Sequence, residues 1–236
     1  MFDVAGKLAV LPSSPSEMLG LLREVVEAWR GEAGNRVGCT SEELVAVQGR
    51  LGVQVPWPLG NFLGPNGIGR YLMNCQDPFL LPRSMRIEDN VLVIQEENQM
   101  CALWGISTQR LAELDPPVLF KGLNDVTGDW RPYHGRLSVH LFEAVLNELV
   151  ISSKGSIFRE VDEDSIDALT GSLIQVGIPR HPFWAEPEGA AVKWLAGAEI
   201  LVRIDGDSII WASAPLGYEA RGVLNIVPEG WESVDS

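Results

Sequence analysis

Cysteine is scarce in this chain: Cys39, Cys75 and Cys101 are its only three among 236 residues. The number is odd and no CxxC pair occurs, which excludes a zinc ribbon and a CxxC redox motif. Thiols scattered in this way are expected to be reduced and buried, in a cytoplasmic protein. Histidine is as rare. His134, His140 and His181 include no HExxH and no i, i+4 pair, so no metal site is expected. Long apolar runs are missing too, and no stretch approaches the roughly 18 residues of a membrane span. Met1-Phe2-Asp3-Val4 carries no basic flank and Leu8-Ala9-Val10-Leu11 is too short for a signal-peptide core, so no export signal is expected. Basic residues are outnumbered: 18 Lys and Arg stand against 32 Asp and Glu, a net charge of −14. That balance argues against nucleic acid and against an anionic membrane, where Lys and Arg supply the attraction. It fits simple solubility, and it equally fits a basic protein partner drawn in by long-range attraction.

Motifs that carry chemistry are also missing. Gly64-Pro65-Asn66-Gly67-Ile68-Gly69-Arg70 is glycine-rich, but Arg70 and Tyr71 stand where a phosphate loop needs Lys and then Ser or Thr. No G-x-S-x-G occurs. Glu96 and Glu97 are adjacent, and on an extended strand their side chains point to opposite faces. The acidic run Asp162-Glu163-Asp164-Ser165-Ile166-Asp167 fails the calcium-loop pattern at Ile166 and Asp167 and reads as the start of a helix, where acids complement the dipole. No catalytic residue and no cofactor is expected. A small-molecule hydrolase would need a site gathered from dispersed residues such as Cys101, His140 and Glu97.

What is present is the pattern of a folded α+β protein. The apolar content of 46 % argues against disorder, and eight tryptophans supply large anchors for a core or a binding face. Ser14-Pro15-Ser16-Glu17 places a cap, a first-turn proline and a returning Glu ahead of Met18, Leu21, Leu22, Val25 and Trp29 at helical spacing. Thr40 and Glu43 form a second capping box, followed by Leu44, Val47 and Leu51, with Gly52 just past the helix end. Leu59–Leu63 makes a further short turn of helix, and 64–89 reads as loop. Asn90–Gln95 and Met100–Ile106 read as paired strands, with Val118–Phe120 and Trp130 as weaker strand candidates. Leu137–Val150 returns to helical spacing, Asp164 is placed as the cap of a helix running through Leu173, and Asp205-Gly206 as the turn of a hairpin between Ile200–Ile204 and Ser208–Ala212. Helices and hairpins occur in blocks rather than in βαβ alternation, which predicts α+β with a largely antiparallel sheet. No linker divides the chain. One domain over 1–236 is expected, with a candidate sub-boundary near 152–155.

The order of these motifs resembles the SUKH superfamily, named after a fungal cell-wall assembly regulator. Four stretches carry the likeness. They are the Thr40–Gly52 helix leading to Pro56; Pro58, Leu59, Phe62 and Leu63 before Asn66-Gly67; Asp89–Ile94 with Glu97-Asn98-Gln99 and Trp104-Gly105; and Trp130 ahead of the Leu137–Leu149 helix. The Val202–Trp211 hairpin is familiar from longer members, while Gln48-Gly49 and Val55-Pro56 depart from the usual pattern. The resemblance implies helices packed around a central twisted sheet, and binding in place of catalysis. Bacterial members of the immunity type neutralise a toxin by direct contact through a sheet face. By that resemblance Glu97, Asn98, Gln99 and Trp104 are the partner-binding candidates, with a place in the core as the other reading of Trp104, and the partner is a protein, a basic toxin domain among the candidates. The fungal relatives imply an alternative: a regulatory scaffold with several weak partners.

Overall fold

A computed structural model describes residues 2–31, 38–68, 77–123 and 128–234. Cys75 and the Gly69-Arg70-Tyr71 end of the glycine-rich stretch lie outside the described residues. The class is α+β, and every strand pairing is antiparallel. The strands build two main sheets, of five and six strands, where the resemblance implied one central sheet. The chain divides into two compact units: Met1–Ser13, Arg23–Glu32 and Leu146–Ser236 in one, Ser14–Leu22 and Ala33–Val145 in the other.

In the Ser14–Leu22 and Ala33–Val145 unit, local signals set the helix ends. Ser14 Oγ accepts from Glu17 N–H at the start of α2 (Pro15–Arg30), which follows a short α1 (Val4–Leu8). At α3 (Ser41–Leu51) Thr40 Oγ1 accepts from Glu43 N–H at 3.2 Å and Glu43 Oε2 accepts from Thr40 N–H at 2.7 Å. Gly52 closes that helix at φ = 68°, a left-handed position that glycine takes without a Cβ penalty. Pro56 and Pro58 open α4 (Trp57–Leu63). Strands β1 (Arg86–Glu88), β2 (Val91–Glu96), β3 (Ala102–Ser107), β4 (Val118–Gly122) and β5 (Arg131–His134) follow one another as a meander. β1 falls in the stretch read as loop. Asp89 and Asn90 form the two-residue turn into β2, with φ of 51° and 62°, the geometry that suits a hairpin's twist. One face of this sheet packs Leu92, Trp104, Ile106 and Phe120 inward, together with Leu141 and Phe142 of α5 (Leu137–Ser152).

In the other unit, β6 (Ile157–Glu160), β7 (Ile174–Gln175), β10 (Lys193–Ala196), β11 (Leu201–Asp205), β12 (Ile209–Ser213) and β13 (Glu232–Ser233) form the six-stranded sheet. β8 (Pro182–Phe183) and β9 (Glu186–Ala191) pair separately. One sheet face buries Leu195, Val202, Ile204 and Ile210 against Leu169 of α6 (Glu163–Ser172) and Val223. The opposite face holds a buried ion pair. Arg203 Nε lies 2.5 Å from Asp205 Oδ1, the guanidinium also bonds Asn147 Oδ1, and Trp194 lies 5.5 Å from it as a cation–π partner. Trp211 Nε1–H donates to Asp205 Oδ2 at 3.1 Å.

Two local readings shift here. The β11–β12 hairpin exists, but its turn is Gly206-Asp207-Ser208, with Gly206 at φ = 56°. Asp205 belongs to the strand because Arg203 and Trp211 hold its side chain inward. The cap of α6 is Asp162 and not Asp164: its carboxylate accepts from Ser165 N–H at 2.8 Å and Ser165 Oγ–H at 2.6 Å. Those two bonds, with the Arg159 ion pair behind them, hold Asp162 below the usual carboxylate value. The helix ends at Ser172, one residue before Leu173.

Replacing the Thr40 cap by alanine removes one of the two capping-box bonds. Thr40→Ala is expected to cost about 1 kcal/mol and Thr40→Ser almost nothing, measured by urea unfolding; equal stability of the two variants contradicts the capping role.

Candidate protein-binding surface

Strands β2 and β3 are joined by residues 97–101, and the shape of that turn rests on one carboxylate. Glu97 is buried, and its Oε2 accepts from the backbone N–H groups of Gln99 at 2.9 Å and Cys101 at 3.0 Å. Its backbone closes the same loop, donating to Ala102 O at 2.9 Å and accepting from Met100 N–H at 2.8 Å. A chain drawn in this tightly puts Met100 in the left-handed region, φ = 61°. For a residue with a Cβ that conformation costs about 1–2 kcal/mol, and glycine or asparagine is its usual occupant. Met100 stands there 65 % exposed, between Gln99 and Cys101 at the tip. Leu123 donates its N–H to Cys101 O at 2.8 Å and is itself 40 % exposed.

The four residues singled out by the resemblance therefore divide. Asn98 and Gln99 are exposed at the tip. Glu97 is the clamp beneath them. Trp104 is buried, its ring 6.0 Å from Phe120, 6.1 Å from Tyr133 and 6.3 Å from His140. Neither Glu97 nor Trp104 presents its side chain at the surface; both hold the hairpin that presents the others. Met100 and Leu123 carry no motif. Their exposure follows from the turn and the neighbouring strand, which spacing along the chain does not reveal.

Behind the tip, the sheet face that buries Val91, Val93 and Leu103 also carries charged side chains. A register shift between Val93 and Gln95 turns Gln95 to the side of Trp104 and Glu96 to the side of Leu103. Arg86, Glu88, Glu96 and Lys121 thus share a face. Arg86 Nη1 lies 3.0 Å from Glu96 Oε2, and Lys121 Nζ lies 2.9 Å from Glu88 Oε1 and 3.0 Å from Asp89 Oδ2. Between β1 and β4 the network spans Gly105, where a Cβ would meet Val91 Cγ1 at 2.5 Å. The absence of a side chain there lets Val91 and the Leu92 backbone pack directly over the glycine. Trp130, the weak strand candidate just before β5, lies with its ring 5.8 Å from Lys121 Nζ. The result is a lattice of alternating charges beside an aromatic ring, with Asp89 largely exposed.

On the opposite face two histidines are held by specific partners. His140 Nε2 lies 2.7 Å from Gln95 Oε1, and Gln95 Nε2–H donates to Asp77 O at 2.7 Å. His134 Nε2 lies 2.8 Å from Glu143 Oε2. The dispersed set Cys101, His140 and Glu97 is engaged piecemeal: the Glu97 carboxylate by two amides of its own turn, His140 Nε2 by Gln95, and Cys101 Sγ 3.8 Å from Gln99 O.

Among the described residues no helix is long and apolar enough to cross a membrane. In comparisons with known proteins, no family model, no curated protein and no solved structure matches this chain.

Glu88 first, then Asp89, hold the Lys121 ammonium above its ordinary value. A cation whose folded pKa is raised contributes stability that is complete below the unfolded value, about 10.4, and lost as pH rises through the higher folded value. The stability difference between wild type and Lys121→Met is therefore expected to stay constant from about pH 7 to 9 and to shrink above about 11. Urea unfolding across that range checks it; a difference that persists unchanged at high pH would show that the ion pairs contribute nothing.

Proposed function

We propose that this chain is a non-enzymatic, cytoplasmic protein-binding module of the SUKH immunity type, which neutralises a toxin by direct contact. The single observation that carries the reading is Met100: an exposed apolar side chain held at φ = 61° on a clamped turn. Folding alone would favour glycine at that position. Backbone strain kept at an exposed tip is a mark of a functional contact, and methionine adapts to apolar partner surfaces.

The contact is built from two parts. Met100 and Leu123 supply apolar anchors, with Asn98 and Gln99 as hydrogen-bonding neighbours. The Arg86, Glu88, Lys121 and Asp89 lattice on the same sheet sets register through charge. A net charge of −14 favours a basic partner and speeds its encounter. Glu97 and Trp104 act in this reading by fixing the tip and not by touching the partner.

Co-expression with each toxin-like product encoded beside this gene tests it, scoring survival and co-purification. The expected outcome is rescue by a one-to-one complex that Met100→Asp weakens at least tenfold, with affinity falling as salt rises because the encounter is electrostatic. Absence of both rescue and complex across these products overturns the proposal.

A further inference from the structure

The six-stranded sheet ends at β7, and the chain leaving that edge does not stay against β10. Val176 N–H donates to Trp194 O at 2.9 Å, and Val192 N–H donates to His181 O at 3.2 Å. Between those two ties the segment 177–180 leaves the β10 ladder, and Gly177 N–H donates instead to Leu8 O at 2.8 Å. A cavity of about 430 Å³ opens there, bounded by Thr170 and Leu173 near the end of α6 and by Gln175 of β7. That volume falls in the range of small-molecule sites.

The lining has two characters. Ile178, Val192, Trp194 and Leu195 are buried and apolar. Arg180 and Lys193 are exposed, and they are the only charged residues of the lining. In a chain with 32 acids and 18 bases, a cavity lined by two cations and no acid inverts the sign of the whole. Neither cation has an ion-pair or hydrogen-bond partner among the described residues.

We propose that this cavity binds a small amphipathic carboxylate, its apolar body against Ile178, Val192 and Leu195 and its anionic head between Arg180 and Lys193. A guanidinium can take a carboxylate through two N–H donors, while an ammonium acts as a point charge. Gln175 stands beside them as a further polar side chain. The site lies within the Leu146–Ser236 part of the chain and is independent of the hairpin reading.

The test uses the ¹⁵N-labelled full chain titrated with hexanoate and, separately, with hexylammonium, following the amides of residues 170–195. Hexanoate is expected to give saturable shifts confined to the cavity, with affinity of order millimolar for a ligand of so few atoms. Hexylammonium is expected to bind at least tenfold more weakly, and the double variant Arg180→Gln, Lys193→Gln to lose at least tenfold in hexanoate affinity while the remaining spectrum is kept. The hexylammonium comparison decides the charge preference on the wild-type chain even where the variant misfolds. Absence of saturable hexanoate shifts, equal binding of the two probes, or wild-type affinity in a folded double variant overturns the proposal.

Discussion

The Glu97 carboxylate sets the geometry on which the hairpin unit depends. By accepting two N–H groups from its own loop it reinforces a turn that the backbone bonds from Glu97 to Ala102 and from Met100 to Glu97 also close. A carboxylate makes these bonds stronger than a neutral acceptor would. The shift at Val93/Gln95 then sends Gln95 toward His140 and Glu96 toward Arg86.

The same clamp explains why an apolar residue is found where the backbone disfavours one. Met100 has no freedom to relax while Gln99 and Cys101 on either side donate to Glu97. Its side chain is directed outward by the left-handed backbone, and the strain is held by the ladder behind it. The Leu146–Ser236 part of the chain shows the opposite arrangement of charge. There Arg203 and Asp205 are taken inside, flanked by Trp194 and Trp211, where removing either partner would leave a buried charge uncompensated.

How much of this was legible from residues alone depended on range. The caps at Ser14 and Thr40, the stop at Gly52 and the β2–β3 strands are local, and each was readable because the interacting groups lie within four residues or follow an alternating pattern. Asp162 was missed by two residues for the same reason: in a run of acids, spacing does not say which carboxylate caps, and the bonds to Ser165 decide. β1 escaped because Arg86-Ile87-Glu88 holds a single strand-former and exists by pairing with β2, although Asp89-Asn90 was a turn signal. Asp205 was read as a turn residue because Asp-Gly is a hairpin dipeptide, and its bonds to Arg203 and Trp211 were beyond any local pattern. In the candidate surface Asn98 and Gln99 were readable as loop residues, and a core place was one of two readings of Trp104. The inward direction of Glu97 and the exposure of Met100 and Leu123 were not readable, since they are fixed by hydrogen bonds and packing across strands.

The central claim is that the tip is strained in order to present Met100 to a partner. Met100→Gly tests it most directly, with two readings on the same protein: urea stability, and affinity for the toxin-like product that co-purifies with the wild type. The account predicts stability unchanged or raised by up to about 1 kcal/mol, because glycine accepts the left-handed backbone, together with binding weakened at least tenfold. Wild-type affinity in a stable Met100→Gly chain, or a marked loss of stability, would contradict it.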